Sequence, residues 1–152
     1  MRQLMYLSSL DNHRVKTVLN LRRHRHRAQS GLFIAEGQRQ ITRALAAKLP
    51  LRELYKCPEL GSGDDQLFTD AIDCLPPSVA QFEVSPRVMR KLAYRAQPQD
   101  MLAVFEQPRW TLNTLPTSAA NPLWLVAVGI EKPGNLGALT RSAVAAGAAA
   151  LL

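Results

Sequence analysis

Residues 131–141 read Glu-Lys-Pro-Gly-Asn-Leu-Gly-Ala-Leu-Thr-Arg and lie between two apolar runs, Leu123 to Ile130 and Ala148 to Leu152. The first run has the pattern of a buried strand. The middle becomes a helix of small side chains that ends at Gly147, and the last run reads as a second strand. A strand, a tight turn, a helix and another strand make a βαβ unit, which opens a parallel sheet. This stretch commits the C-terminal part of the chain to an α/β architecture.

The turn residues have individual reasons to be there. Pro133 fixes its own φ and Gly134 reaches φ values closed to other residues, so the pair predicts a sharp exit from the strand. Asn135 is expected to cap the helix through its side-chain oxygen. Gly137 and Ala138 leave the first turn bare, and Arg141 shares their helical face, with Ala145 one turn later. A guanidinium on a small-residue surface near a helix N-terminus suits a phosphate or a developing negative charge. Two familiar phosphate loops do not fit: a P-loop would need Lys-Ser/Thr after Gly134, where Asn135-Leu136 stands, and only Gly134 and Gly137 of a dinucleotide fingerprint are present. A plain structural turn with a solvated arginine would also use Gly-x-x-Gly. The joint presence of Glu131, Pro133, Asn135, Gly137, Arg141 and Gly147 favours a site.

Charge is concentrated elsewhere. The net charge is +7, and residues 1–50 hold ten Lys/Arg against Asp11 and Glu36, so the first third carries the whole excess. Such a segment is the electrostatic footprint of a polyanion partner. Its densest part is Arg22, Arg23, His24, Arg25, His26 and Arg27, expected at the end of a first helix marked by Val15, Val18 and Leu19 and in the loop beyond. A solvated charged face would look the same, but Arg39 and Arg43, four apart on the next helix, extend the sign. His24 and His26 alternate with arginines, which disfavours a cation, and no metal site is expected. Cys57 and Cys74 lack zinc-finger spacing and read as ordinary thiols of a reducing compartment. No signal peptide or membrane span is evident, so a cytoplasmic protein is expected.

From residue 32 the pattern alternates. Leu32 to Gly37 reads as a strand, Gln38 to Lys48 as a helix with Ile41, Ala44, Leu45 and Leu49 inward, and Leu51 to Lys56 as a strand. Gly61 to Asp65 reads as a loop and cap. Leu67, Phe68, Ala71, Ile72 and Leu75 form a helical stripe stopped by Pro76-Pro77. Phe82 to Val84 is a short strand, followed by a Ser-Pro cap, a helix with Val88, Met89 and Leu92 inward, and a strand from Met101 to Phe105. This alternation predicts an α/β domain. Pro108 to Pro122 reads as a linker bracketed by Trp110 and Trp124, both expected to pack.

Residues 131–147 resemble the first signature motif of the SpoU (TrmH-like) RNA ribose methyltransferases of the SPOUT superfamily. Lys16, Leu21, Arg27, Gly31, Phe33, Glu36 and Gly37 resemble that family's N-terminal pattern, and residues 96–104 its exit from the domain. The resemblance implies a ribosomal-protein-like α/β RNA-binding domain at 1–107, a linker at 108–122, and at 123–152 the first βαβ unit of a knotted methyltransferase domain, truncated. It further implies methyl transfer from S-adenosylmethionine to a ribose 2′-hydroxyl of rRNA or tRNA. Arg141, Asn135 and Glu131 would then be catalytic, and Pro133, Gly134 and Gly137 would shape the turn. RNA would be held by Lys16, Arg22, Arg23, Arg25, Arg27, Arg39 and Arg43. The cofactor pocket is expected beyond residue 152, so the sequence is expected to be partial, inactive alone, and part of a longer homodimer. A non-catalytic RNA-binding module is the alternative, and nucleotide binding at the Gly134 turn a third reading.

Overall fold

The run Met-Leu-Ala-Val-Phe at 101–105 lacks polar alternation, the pattern of a strand covered on both faces. In the computed structural model, which describes residues 4–61, 72, 75–115 and 122–152, it lies within β5 (Met101–Glu106). With β1 (Met5–Leu7), β2 (Leu32–Glu36), β3 (Leu51–Lys56) and β4 (Ala80–Val84) it forms one sheet, in the order β1-β4-β3-β5-β2. Strands β1 and β3 run parallel to β4, whereas β5 is antiparallel to both β3 and β2. Leu102 and Val104 enter one core and Ala103 and Phe105 the other.

Helices α1 (His13–Asn20) and α4 (Pro86–Leu92) close the first core with Val15, Val18, Val88, Met89 and Leu92. A third helix, Gln38–Ala46, closes the second with Ile41 and Ala44. Each large apolar side chain taken out of water contributes roughly 1.5–3 kcal/mol. The α/β class read from the alternation is therefore the observed one. The expected stripe at 67–71 and Cys74 lie outside the described residues, while Ile72 is buried in the second core.

Element ends follow local chemistry. The Ser-Pro cap is present: Ser85 Oγ accepts the Val88 N–H at 3.3 Å and Pro86 opens α4. The run 22–27 is not the tail of α1, as expected, because residues 24–27 belong to their own helix, α2 (His24–Ser30), which stops at Gly31 with φ 67°. The helix Gln38–Ala46, here α3, ends two residues before the expected Lys48. Lys48 itself adopts a left-handed φ of 56°, donating its N–H to the Leu45 carbonyl, and the Leu49 N–H reaches back to Ala44. That pair of bonds is a Schellman closure, made with lysine where glycine is usual.

The chain divides into Met1–Pro108 and Arg109–Leu152. In the second unit β6 (Trp124–Leu125) pairs parallel with β7 (Ala150–Leu151), and α5 (Pro133–Ala145) connects them. This is the expected βαβ unit. Gly147, at φ 70°, ends α5 by the same Schellman closure, Ala148 N–H donating to Ala143 at 2.9 Å. The strand is much shorter than the apolar run 123–130. Its ladder stops where Ala127 N–H donates to the Leu152 carbonyl, and Gly129 turns the chain at φ 68°. Val126 and Val128 are consequently exposed rather than buried.

Candidate functional site

The basic residues of the first unit divide by what they touch. Arg27 donates from Nη1 to the carbonyls of Leu21 at 3.0 Å and Arg22 at 2.8 Å, holding the α1–α2 turn closed. Arg22 donates to the Ala93 carbonyl and lies 5.1 Å over the Tyr94 ring. Lys16 pairs with Asp11 at 2.9 Å, and that ammonium holds the Asp11 carboxyl below its usual range. Arg23, Arg25, Arg39 and Arg43 are exposed and have no partner among the described residues. The candidate RNA contacts thus fall into two sets. Lys16, Arg22 and Arg27 are engaged within the protein, and the four unpartnered arginines present their full donor capacity to solvent.

Glu36, at the end of β2, is the one buried charged side chain among the described residues. Its Oε2 accepts the N–H of Tyr94 at 2.7 Å and of Arg95 at 3.4 Å, and its Oε1 that of Gln99 at 3.3 Å. A carboxylate buried this way is tolerated because backbone donors replace its water. Gly37 follows with φ 87°, and a Cβ there would meet Gln99 Cγ at 3.1 Å. The Glu-Gly pair of the sequence pattern is therefore a clamp on the 94–99 loop. Tyr94 and Arg95 escaped sequence reading. They lie outside the basic first third, and the only local signal was an aromatic beside a cation just after a helix.

On the same sheet, Arg14 Nη1 donates to Glu53 Oε1 at 3.1 Å and stands 4.9 Å over the Phe82 ring, while Tyr55 donates its hydroxyl to Glu53 Oε2 at 2.6 Å. Burial and the Glu53 carboxylate push the Tyr55 hydroxyl well above the ordinary phenol range. This network ties α1 to β3 rather than forming a site.

In the second unit the turn differs from expectation in detail. Helix α5 starts at Pro133 with Lys132 as N-cap, so Asn135 lies in the first helical turn and is not the cap. Its N–H donates to the Lys132 carbonyl at 3.0 Å. Gly134 is helical and lacks a positive φ; the left-handed residue of the turn is Gly129, five positions earlier. A proline already at the first helical position explains this, since its fixed φ begins the helix itself. Arg141 does lie over Gly137: a Cβ there would be 3.6 Å from Arg141 Nη1. Glu131, Asn135 and Arg141 are all exposed, and no hydrogen bond joins them. Asn135 and Arg141, six positions apart, are separated by about 9 Å along the axis and about 120° around it. Trp110 and Trp124, expected to pack, are 80% and 42% exposed.

These features define an α/β domain built on one mixed sheet, followed in the chain by a βαβ unit with a parallel strand pair. The chain belongs to the MRM3-like substrate binding domain family, whose model matches residues 12–103, within the SpoU (TrmH-like) group of the SPOUT superfamily. Among solved structures it is similar to an RNA 2′-O ribose methyltransferase, at 37% identity over 97% of this chain and 54% of that one, TM-score 0.76. An rRNA methyltransferase from Sinorhizobium meliloti matches at 28% identity over 99% of this chain and 54% of that one, TM-score 0.76. The SpoU methyltransferase AviRb from Streptomyces viridochromogenes, in complex with AdoMet, matches at 25% identity over 92% and 52%, TM-score 0.79. The chain spans about half the length of each of these relatives. No curated protein sequence matches it. No helix among the described residues is long and apolar enough to cross a membrane.

Proposed function

We propose that this chain carries the RNA-gripping domain (1–107), linker (108–122) and first catalytic motif (123–152) of a methyltransferase acting on a ribose 2′-hydroxyl of ribosomal or transfer RNA. The observation that supports it most is the 37% identity, over nearly the whole chain, to an RNA 2′-O ribose methyltransferase. S-adenosylmethionine, present in the AviRb relative, would supply an electrophilic methyl group. Glu131, Asn135 and Arg141 are all exposed, and no residue of this chain is assigned to that cofactor. Arg141 acts on the RNA. Its guanidinium stays cationic at any physiological pH and stabilises negative charge as the 2′-hydroxyl loses its proton. Asn135 and Glu131, also exposed, complete the candidate catalytic set. Arg23, Arg25, Arg39 and Arg43 contact phosphates, with Lys16, Arg22 and Arg27 supporting them. The protein works in the cytoplasm, as a homodimer.

The test is transfer of labelled methyl from S-adenosylmethionine to RNA by the complete protein, with the product mapped by alkaline hydrolysis. Linkages made resistant by 2′-O-methylation support the proposal, and label confined to bases refutes it. RNA binding by this chain should weaken steeply with salt, since each phosphate contact releases counterions. A second reading, a non-catalytic RNA-binding module, draws on the confinement of the family match to residues 12–103. Salt-dependent binding without any transfer would favour it.

A further inference from the structure

A groove of about 500 Å³ runs beside β2 in the first unit, lined by Phe33, Ala35, Gln40, Arg43, Tyr94 and Arg95 among others. Its base is apolar, with Ala35 buried and Phe33 partly so, while Arg43, Tyr94 and Arg95 are exposed. The volume lies in the range of small-ligand sites. From these observations the geometry points to a pocket for a single unpaired RNA nucleotide, with the base against Tyr94 and the phosphate held by Arg43 and Arg95. The inference rests on the RNA-binding reading above and adds which form of RNA is bound and where.

Tyr94 is held ready for that role. Its N–H is fixed by Glu36, Arg22 covers its ring at 5.1 Å, and the residue is still 52% exposed. Arg95 is held as well. With the Gln40 amide oriented to satisfy its neighbours, Gln40 donates to the Glu36 carbonyl at 3.0 Å and accepts from Arg95 Nη2 at 3.1 Å. An aromatic and a cation fixed before binding lose little entropy when a ligand arrives. An apolar floor beside two cations complements a nucleotide, which is an apolar face attached to an anion. It does not complement an acidic peptide, which offers charge without a ring. A duplex cannot use the site, because its base faces are already stacked on each other.

The experiment uses the whole chain and a short single-stranded oligoribonucleotide carrying one 2-aminopurine, with its duplex as competitor. Wild type should quench the fluorophore, and the duplex should compete weakly. Tyr94→Ala should lower single-strand affinity about 5- to 100-fold and remove the quench, with the salt slope unchanged. Tyr94→Phe should restore both. Arg43→Ala and Arg95→Ala should each lower the salt slope by about 0.7. Equal competition by duplex, or an unchanged quench in Tyr94→Ala, overturns the pocket. Binding that is steeply salt-dependent yet indifferent to Tyr94 removes the pocket alone. Absence of binding, or binding insensitive to salt, removes the RNA reading and the pocket with it. The duplex comparison needs only wild-type protein, so it decides the matter even should a variant fail to fold.

Discussion

Glu36 accepts the backbone N–H of Tyr94 at 2.7 Å across 58 positions of sequence. One carboxylate at a strand end thus sets the loop that carries an exposed aromatic and a cation. Replacing Glu36 by Ala leaves three part-buried backbone donors without their acceptor. The expected loss is about 2–4 kcal/mol of folding free energy by urea denaturation. Glu36→Gln keeps an acceptor oxygen and should lose roughly half as much. Equal stability of Glu36→Ala and wild type would remove the clamp from the account.

Arg27 and Arg25 stand on one short helix and should behave oppositely. Arg27→Ala removes the guanidinium from two carbonyls and should cost about 1–2 kcal/mol. Arg25→Ala should change stability by less than about 0.5 kcal/mol, while lowering RNA affinity and the salt slope. Thermal unfolding and a salt titration of binding, done on both variants, check this.

Lys48 occupies a left-handed conformation at the end of α3 with φ 56°. Glycine takes that conformation without a Cβ penalty, so Lys48→Gly should raise stability by about 1 kcal/mol. A decrease on equilibrium unfolding would show that the lysine side chain contributes something the backbone geometry does not reveal.

Cys57 is buried and its thiol lies 3.4 Å from Glu59 Oε2. Burial first, and then the neighbouring carboxylate, push its pKa from 9.0 up to about 11. The folded state therefore keeps the proton longer than the unfolded chain. Stability from this group is complete below pH 9 and falls as pH rises from 9 to about 11. Folded protein at neutral pH should leave Cys57 unlabelled by a thiol reagent, as peptide mapping would report. Cys57→Val should flatten the alkaline part of the stability profile.

Arg141 is exposed and makes no structural bond, so Arg141→Ala should leave folding unchanged. In the complete protein it should lower methyl transfer about 10²-fold or more, with S-adenosylmethionine binding by calorimetry nearly intact. Gly137→Ala places a methyl 3.6 Å from that guanidinium, an ordinary contact. It should stabilise α5 by about 0.5–1 kcal/mol and show whether closeness at that face matters for transfer. Normal turnover in Arg141→Ala would refute the assigned role.

Much of the architecture is legible in the sequence. Strand β3 has the bounds its pattern predicts, and Ser85-Pro86 opens α4 as its chemistry requires. Helix α2 was not legible, because residues 24–30 contain no large apolar side chain to show a period. Its start depends on Arg27 reaching back to two carbonyls, which spacing does not encode. The extent of β6 departs from its sequence pattern for a related reason. Apolar residues favour strand, but ladder length is set by the partner, and β7 supplies only two paired positions. At the turn, Asn135 looked like a cap, yet Pro133 begins the helix two residues earlier.

The amino-acid order alone determined which segments could be covered on both sides, where proline and serine begin helices, and that positive charge gathers in the first third. These are local properties, carried by each side chain wherever the backbone takes it. Which arginines are occupied by carbonyls, that Glu36 anchors a loop 58 residues away, and that Tyr94 and Arg95 flank an apolar groove were decided only by tertiary structure. Hydrogen-bond partners and shaped surfaces come from segments distant in sequence, and no local pattern specifies them.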